Sequence, residues 1–273
     1  VLYECHLDDS KDGRQEIAYV CAGFYGSRYA WEKFEIVWQA QLAKEGIEYF
    51  KTSECVRLTK QFAKFKKFPA PHGKDAALQV RERLRQLILN AKGIHKIGVA
   101  VPVREYKAVM AYPSAHLVFG ERGIYHRAFE LTLLRAVRLT CTSSKDAIAF
   151  FHDDGDDYSE LLALYKSFKK HNRETAPYMK GFMPLNDKER GSIQAADLIA
   201  NLVLGTSIGT IENKSTQAER SLVEFGPKGL TWWDREPLEK TLLHNMRKKG
   251  IEPPKSLVDA VATHPPRDGF LPV

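Results

Sequence analysis

Residues 3–9 read Tyr3-Glu4-Cys5-His6-Leu7-Asp8-Asp9, and residues 16–24 carry a second extended run, with Ser10, Lys11, Asp12 and Gly13 between them. Turn residues between two such runs predict that the chain opens with a β-hairpin. A later stretch, Asp146-Ala147-Ile148-Ala149-Phe150-Phe151-His152, is nearly continuously apolar and leads into Asp153-Asp154. That pattern fits a buried strand of a parallel sheet. Both strands end alike, in a His followed one or two positions later by paired acids. If they are parallel neighbours, their acidic ends meet at one edge of the sheet, outside the carboxyl ends of the strands, where open α/β sheets bind ligands.

Around these two strands the pattern is mixed. Trp31, Phe34, Trp38 and Leu42 recur near helical spacing over 29–45, and Gly46 supplies a stop. Residues 47–51 read as a third short strand, Thr52-Ser53-Glu54 as a helix start, and residues 75–92 as an amphipathic helix. A strand is expected over 94–103, and helices over 123–141, 157–171, 192–204 and near 236–249. A hairpin first, then strands alternating with helices, predicts an α/β protein with a mixed sheet and helices on both faces. The 273 residues suit one such domain over 1–205 with a helical insertion around 56–92. Residues 206–273 form a C-terminal extension, whose tail, with Pro253, Pro254, Pro265 and Pro266, reads as an irregular surface segment.

Bulk properties narrow the function classes. The net charge is +7, which favours polyanionic partners without requiring them. None of the four cysteines lies in a C-x-x-C pair, which argues against a zinc ribbon. Cys5 and Cys21 sit in apolar runs and read as small packed hydrophobes. No apolar stretch approaches the roughly 18 residues that span a bilayer, and no signal-peptide pattern opens the sequence. The expectation is a cytoplasmic protein with no membrane association.

The carboxylates carry the chemical signal. Alternation along the first strand puts Glu4, His6 and Asp8 on one face and Cys5, Leu7 and Asp9 on the other. Asp8 is the candidate metal ligand and Asp9 fits a turn acid. Asp153 is the candidate from the later strand. Asp154, Asp156 and Asp157 surround Gly155, and Asp157 with Glu160 matches a capping box. The run lacks the spacing of a calcium-binding EF-hand loop. In Gln194-Ala195-Ala196-Asp197-Leu198-Ile199-Ala200, residues Gln194, Asp197 and Asn201 share one helical face. The two alanines allow close approach to a sheet, and Asp is unfavourable inside a helix, so Asp197 asks for a reason. Glu54 falls in a first helical turn, where the helix dipole alone favours an acid, so ligand and structural readings both stand. Clustered carboxylates repel unless a cation lies between them, and Mg²⁺ takes hard oxygen ligands. Two such ions about 4 Å apart activate water and stabilise the leaving oxygen of a phosphodiester.

Several of these segments resemble a known family. Leu7-Asp8-Asp9-Ser10 resembles the Asp-Glu-Ser-Gly start of a widespread microbial and phage family, domain of unknown function family 3800. Cys21-Ala22-Gly23-Phe24 is similar to its second strand, Trp31 to its helix Trp, and Phe50-Lys51-Thr52-Ser53-Glu54 to its Phe-His-x-x-Glu segment. Residues 194–200 resemble its Gln-Ala-Ala-Asp-Leu-Ile-Ala helix, the most specific match. The resemblance spans about residues 3–204. It implies a ribonuclease H-like fold, a metal-dependent nuclease, and Asp8, Glu54, Asp153 and Asp197 as catalytic, metal-binding residues. Three positions depart from the family pattern: Asp9 replaces Glu, Lys11 replaces Gly, and Lys51 replaces a common His.

Residues 60–68 interleave Lys60, Lys64, Lys66 and Lys67 with Phe62, Phe65 and Phe68. Lysines neutralise phosphates and aromatic rings stack on unpaired bases. The plainer reading is an amphipathic segment with Phe62 and Phe65 packed inward. Lys51, Lys64, Lys66 and Lys67 are the candidate nucleic-acid contacts. Lys166, Lys169, Lys170, His171 and Arg173 form a second basic cluster, which also reads as a solvated helix end. The expectation is therefore a Mg²⁺- or Mn²⁺-dependent nuclease hydrolysing phosphodiester bonds of DNA or RNA by a two-metal mechanism. The alternatives are a non-catalytic nucleic-acid- or protein-binding module that retains the fold and, more remotely, a phosphatase on small substrates.

Overall fold

The computed structural model describes residues 1–120, 123–155, 158–212 and 229–264. The predicted hairpin is present, with β1 (Leu2–Lys11) antiparallel to β2 (Ala18–Ser27) and Leu7 opposite Gly23. Asp12 shapes the turn. Its carboxylate accepts from the backbone N–H groups of Glu16, Ile17 and Ala18 at 3.0, 2.9 and 3.2 Å. A short acid bonding its own loop in this way replaces ladder bonds that the turn lacks.

β3 (Ile94–Pro102) runs antiparallel beside β2, and β4 (Ala147–Asp153) runs parallel along the other edge of β1. β5 (Met179–Leu185) joins β4 and β6 (Leu230–Trp232) joins β3, both parallel. The six-stranded order is β5-β4-β1-β2-β3-β6, in which β2 alone runs against the rest. The architecture is α/β with a mixed sheet.

Helices cover both faces. On one lie α1 (Arg28–Glu45), α2 (Thr52–Arg57), a 3-10 helix over Lys60–Lys67, α3 (His72–Leu89) and α8 (Gly191–Ile211). On the other lie α4 (Val103–Met110), α5 (Ala115–Phe119), α6 (Ile124–Thr140), α7 (Tyr158–His171), α9 (Arg235–Lys248) and α10 (Lys255–Thr263). Strand alternation divides the sheet between two cores. Val20, Ala22 and Phe24 point to the α1/α8 side, and Cys5, Leu7, Cys21 and Phe150 to the α6/α7 side. Cys5 and Cys21 are free and buried, as their apolar surroundings predict. α1 buries Trp31, Phe34, Trp38 and Leu42, starts at Ser27, whose hydroxyl accepts from Ala30 N, and stops at Gly46 in the left-handed region.

Several expectations are corrected. Residues 47–51 are not a strand, because their backbone donors are taken elsewhere. Ile47 N donates to Leu42 O, Glu48 N to the Gln61 side chain, and Phe50 N to Gln194 Oε1. β5 was not foreseen: Gly181 and Pro184 mask it, and an edge strand tolerates Pro because one side of its backbone needs no partner. α4 and α5 were also not foreseen. Within the proline-rich tail Lys255–Thr263 is helical and buries Leu257 completely, whereas Pro265 and Pro266 lie outside the described residues. Beyond residue 205, β6 extends the same sheet and α9 packs into the same core. The capping box expected at Asp157, with its neighbour Asp156, lies outside the described residues. Among the described residues no helix is long and apolar enough to cross a membrane.

Gly23 packs its Cα against β1 with no room for a side chain, since a Cβ there would lie 1.9 Å from the carbonyl oxygen of His6. Neither backbone can yield without breaking the ladder. Gly23→Ala is expected to destabilise the fold by about 3 kcal/mol, read as the shift in urea midpoint at unchanged slope.

Candidate functional site

The register of β1 against β4 decides where the acids fall. Pairing runs from Leu2 opposite Ala147 to Leu7 opposite His152, so the next step sets Asp8 beside Asp153 just where the two strands part. Residues paired across parallel strands share a face. Asp8 and Asp153 therefore turn to the α8 side, and Asp9 and His152 to the α6 side, as alternation along β1 predicts.

α8 brings the third acid. Its first turn is capped from another helix: the Glu35 carboxylate accepts from Gly191 N and Ser192 N at 3.0 and 2.9 Å. Free N–H groups at a helix start favour an anion there. Ala195, Ala196 and Ala200 are fully buried, which lets the helix lie close on β1 and β2. Gln194, also fully buried, accepts from Trp38 Nε1 at 2.8 Å and from Phe50 N at 3.0 Å, and donates to Asp187 O at 2.8 Å. These three bonds fix the segment before α2 and the loop after β5 against α8. One turn along, Asp197 Oδ2 accepts from Thr52 N at 2.6 Å. The remaining polar residue of that face, Asn201, accepts from Arg81 at 3.0 Å.

Lys51 and Asp187 complete the group. The Lys51 ammonium bonds Asp187 and lies 3.9 Å from Asp153 Oδ2. Asp187 was not foreseen, because β5 was not read and an acid in an unplaced loop carries no signal. Lys51 is thus a counter-charge among the acids, and its side chain, 38% exposed, also stays open to solvent.

The carboxyl groups reflect their mutual repulsion. Asp8 is held well above the usual carboxylate range, first by burial, then by the charges of Asp197, Asp9 and Asp153, against one hydrogen bond from Asp9 N. Burial also raises Asp153, with Asp187 adding to it and Lys51 opposing. Asp197 is raised by burial and Asp187, against the Thr52 bonds and Lys51. Burial works against the Lys51 ammonium, yet the hydrogen bond to Asp187 and the surrounding acids keep it protonated above its ordinary range.

The predicted residues are only partly gathered. Asp8, Asp153 and Asp197 share one face and one electrostatic field, but they do not form a closed cage. Among the described residues, the group whose ligand atoms lie within 4.8 Å of one another is Asp8, Asp9 and His152. Asp9 is therefore more than a turn acid: it accepts from Tyr125 Oη at 3.3 Å and lies 3.9 Å from His152 Nε2. Glu54 is buried on α2, where Oε1 meets Tyr49 Oη at 3.2 Å and Lys60 Nζ at 3.3 Å and Oε2 is buried with no hydrogen-bond partner among the described residues. His6 is a core residue, stacked on Phe151 and edge-on to Trp31. Of the candidate nucleic-acid contacts, Lys64 is committed to the end of α1, where it donates to Glu45 O and Gly46 O. Lys66 and Lys67 are exposed, while Phe62 is fully buried and packs on Phe50 and Phe65, as the plainer reading of this segment has it.

No known family profile and no curated protein matches this chain.

A raised carboxyl pKa has a stability consequence. An unfolded Asp titrates near 3.9. Between that value and the higher folded one the native state binds the extra proton, so stability falls as pH rises through the window. Asp8→Asn is therefore expected to raise the melting temperature of the metal-free protein at neutral pH, by roughly 2–4 °C for each kcal/mol of repulsion removed. The gain should shrink on acidification, as wild-type Asp8 takes up its proton. A variant less stable than wild type in chelator at neutral pH would contradict this account of the site.

Proposed function

We propose that the chain is a divalent-metal-dependent nuclease of the ribonuclease H-like kind. The observation that carries this reading is the convergence of Asp8, Asp153 and Asp197, from β1, β4 and α8, on one face at the carboxyl ends of two parallel strands. The resemblance of the segments around Asp8, Phe50 and Gln194 to domain of unknown function family 3800 supports it, as do the opening hairpin and the mixed sheet.

The donors fit the cation in kind. They are carboxylate oxygens, the hard ligands that Mg²⁺ and Mn²⁺ take. Their charge also fits: Asp8 is pressed by three like charges and, among the described residues, accepts a hydrogen bond from a backbone N–H. Asp8, whose carboxylate lies within ligand reach of Asp9 and His152, would hold the metal, with Asp153 and Asp197 supplying further carboxylate charge around it. When bound, it supplies Lewis-acid polarisation of a phosphodiester oxygen and a water nucleophile at neutral pH. Gln194 holds the Phe50 segment and thereby the Thr52 N–H that orients the Asp197 carboxylate. Asp187 fixes the Lys51 ammonium beside Asp153, where it can meet the charge of a phosphate oxygen. Lys66 and Lys67 lie exposed for backbone contact with a nucleic acid.

One observation favours the second reading, a non-catalytic binding module. Lys51 already supplies a positive charge between Asp187 and Asp153, which lowers the need for a cation. A cleavage panel of single- and double-stranded DNA, RNA and hybrid, with Mn²⁺ or with chelator, separates the two. The nuclease reading expects Mn²⁺-dependent cleavage that falls by roughly a hundredfold or more in Asp8→Asn and in Asp197→Asn, since a metal contributes several kcal/mol to such a transition state. It also expects a Mn²⁺-dependent rise in melting temperature that both variants lose. No cleavage of any substrate and no thermal response to Mn²⁺ would leave the binding module.

A further inference from the structure

The basic cluster at the end of α7 takes no part in the acidic site, which lies on the opposite face of the sheet. Two of its members, His171 and Arg173, line a cavity of about 820 Å³ between α5, α6, the end of α7 and α9. The floor is apolar, formed by Phe119, Leu131, Leu134 and Phe168. Five cations line it, Arg127, Arg138, Arg173, Lys248 and Lys249, against two acids, Glu130 and Glu174. On α6, the residues Arg127, Leu131, Leu134 and Arg138 follow one another at helical spacing, so one helix face supplies both charge and floor.

Arg127 is the telling residue. Its side chain is 13% exposed, and its Nε and Nη2 lie out of contact with water and without an acceptor among the described residues. Its Nη1 stands 3.6 Å from Glu130 Oε2, beyond a good hydrogen bond, and the guanidinium lies 4.6 Å from the Phe119 ring centre. A buried guanidinium carries five donors and stays charged, so leaving two unmatched costs free energy that turning the group toward an anion in the cavity would recover. Arg matches phosphate oxygens with two parallel N–H groups, a geometry that a monovalent point charge such as Lys does not offer.

We propose that this cavity binds an organic phosphate of about nucleotide size, with its phosphate on Arg127 and its organic body on the floor of Phe119, Leu131, Leu134 and Phe168. The volume falls within the roughly 300–1,000 Å³ of small-molecule sites, and an apolar floor with few convergent charges is their usual make-up. Arg138 and Lys248 on the rim raise the local concentration of anions. The site owes nothing to the metal-dependent reading of the acidic cluster.

The test is calorimetric titration and thermal shift of the full chain in chelator, with adenosine monophosphate, inorganic phosphate and adenosine as probes. Saturable binding is expected for the nucleotide, weaker binding for inorganic phosphate, and none for adenosine. Arg127→Gln should weaken nucleotide binding at least about tenfold, the loss of one charge-assisted hydrogen bond. The exposed double variant Arg138→Gln/Lys248→Gln should weaken it too, and it keeps the test open if Arg127→Gln fails to fold. Asp8→Asn should bind as wild type does. The proposal is overturned if neither nucleotide nor phosphate binds the wild type, if the cavity variants bind unchanged, or if Asp8→Asn abolishes binding.

Discussion

The carboxamide of Gln194 ties together parts of the chain that have no other reason to meet. Its oxygen takes one N–H from the indole of α1 and one from the backbone at Phe50, and its nitrogen donates to the loop after β5. In a fully buried setting each of these donors and acceptors would be costly if left unmade. The bonds therefore act as a geometric constraint. With Phe50 fixed, Lys51 and Thr52 are fixed, and with Asp187 O fixed, the Asp187 carboxylate lies within reach of Lys51. Asp197, one turn further along α8, then meets Thr52 N–H at a short distance.

Around that constraint the fold accumulates negative charge. Asp8, Asp153, Asp187 and Asp197 come from four separate segments, and the cation bonded among them is Lys51. A stable domain tolerates this because the raised carboxyl groups can hold protons or a cation, either of which relieves the repulsion. The opposite face of β1 differs in kind. Asp9, His152 and Tyr125 form a mixed acid, imidazole and phenol group. Adjacent residues of one strand thus serve two chemically distinct surroundings, and Asp8 lies at the junction of both.

The α6 side of the sheet carries a different electrostatic character. Cations surround the apolar-floored cavity there, whereas acids gather at the strand ends above α8. The sheet separates the two, so a chain of net charge +7 keeps a strongly acidic centre on one face. β6 and α9, contributed by residues beyond 205, belong to the same sheet and core as the opening hairpin.

The sequence by itself determined the features set by local chemistry and periodicity. The hairpin could be read from turn residues between two extended runs, β4 from an apolar run of strand length, and α1 and α8 from helical spacing. The facing of Asp8 and Asp9 followed from the two-residue period of a strand. Asp8, Asp153 and Asp197 were legible because strand ends and an acid on a mostly apolar helix are unusual places for a carboxylate. Tertiary structure decided what depends on partners distant in the chain. Residues 47–51 look like a strand, but the end of α1 takes the Ile47 N–H and side chains from elsewhere take those of Glu48 and Phe50. Glu54 reads equally as a ligand or a helix-start acid, and only the fold supplies Tyr49 and Lys60 to one of its oxygens. Asp187 and Lys51 gain their roles only through each other, 136 positions apart. β5 is held in the sheet by β4, and its own sequence, broken by Gly181 and Pro184, carries little strand preference. A contact between separated segments leaves no mark in the local pattern of either, because each residue type is locally ordinary until the fold supplies its partner.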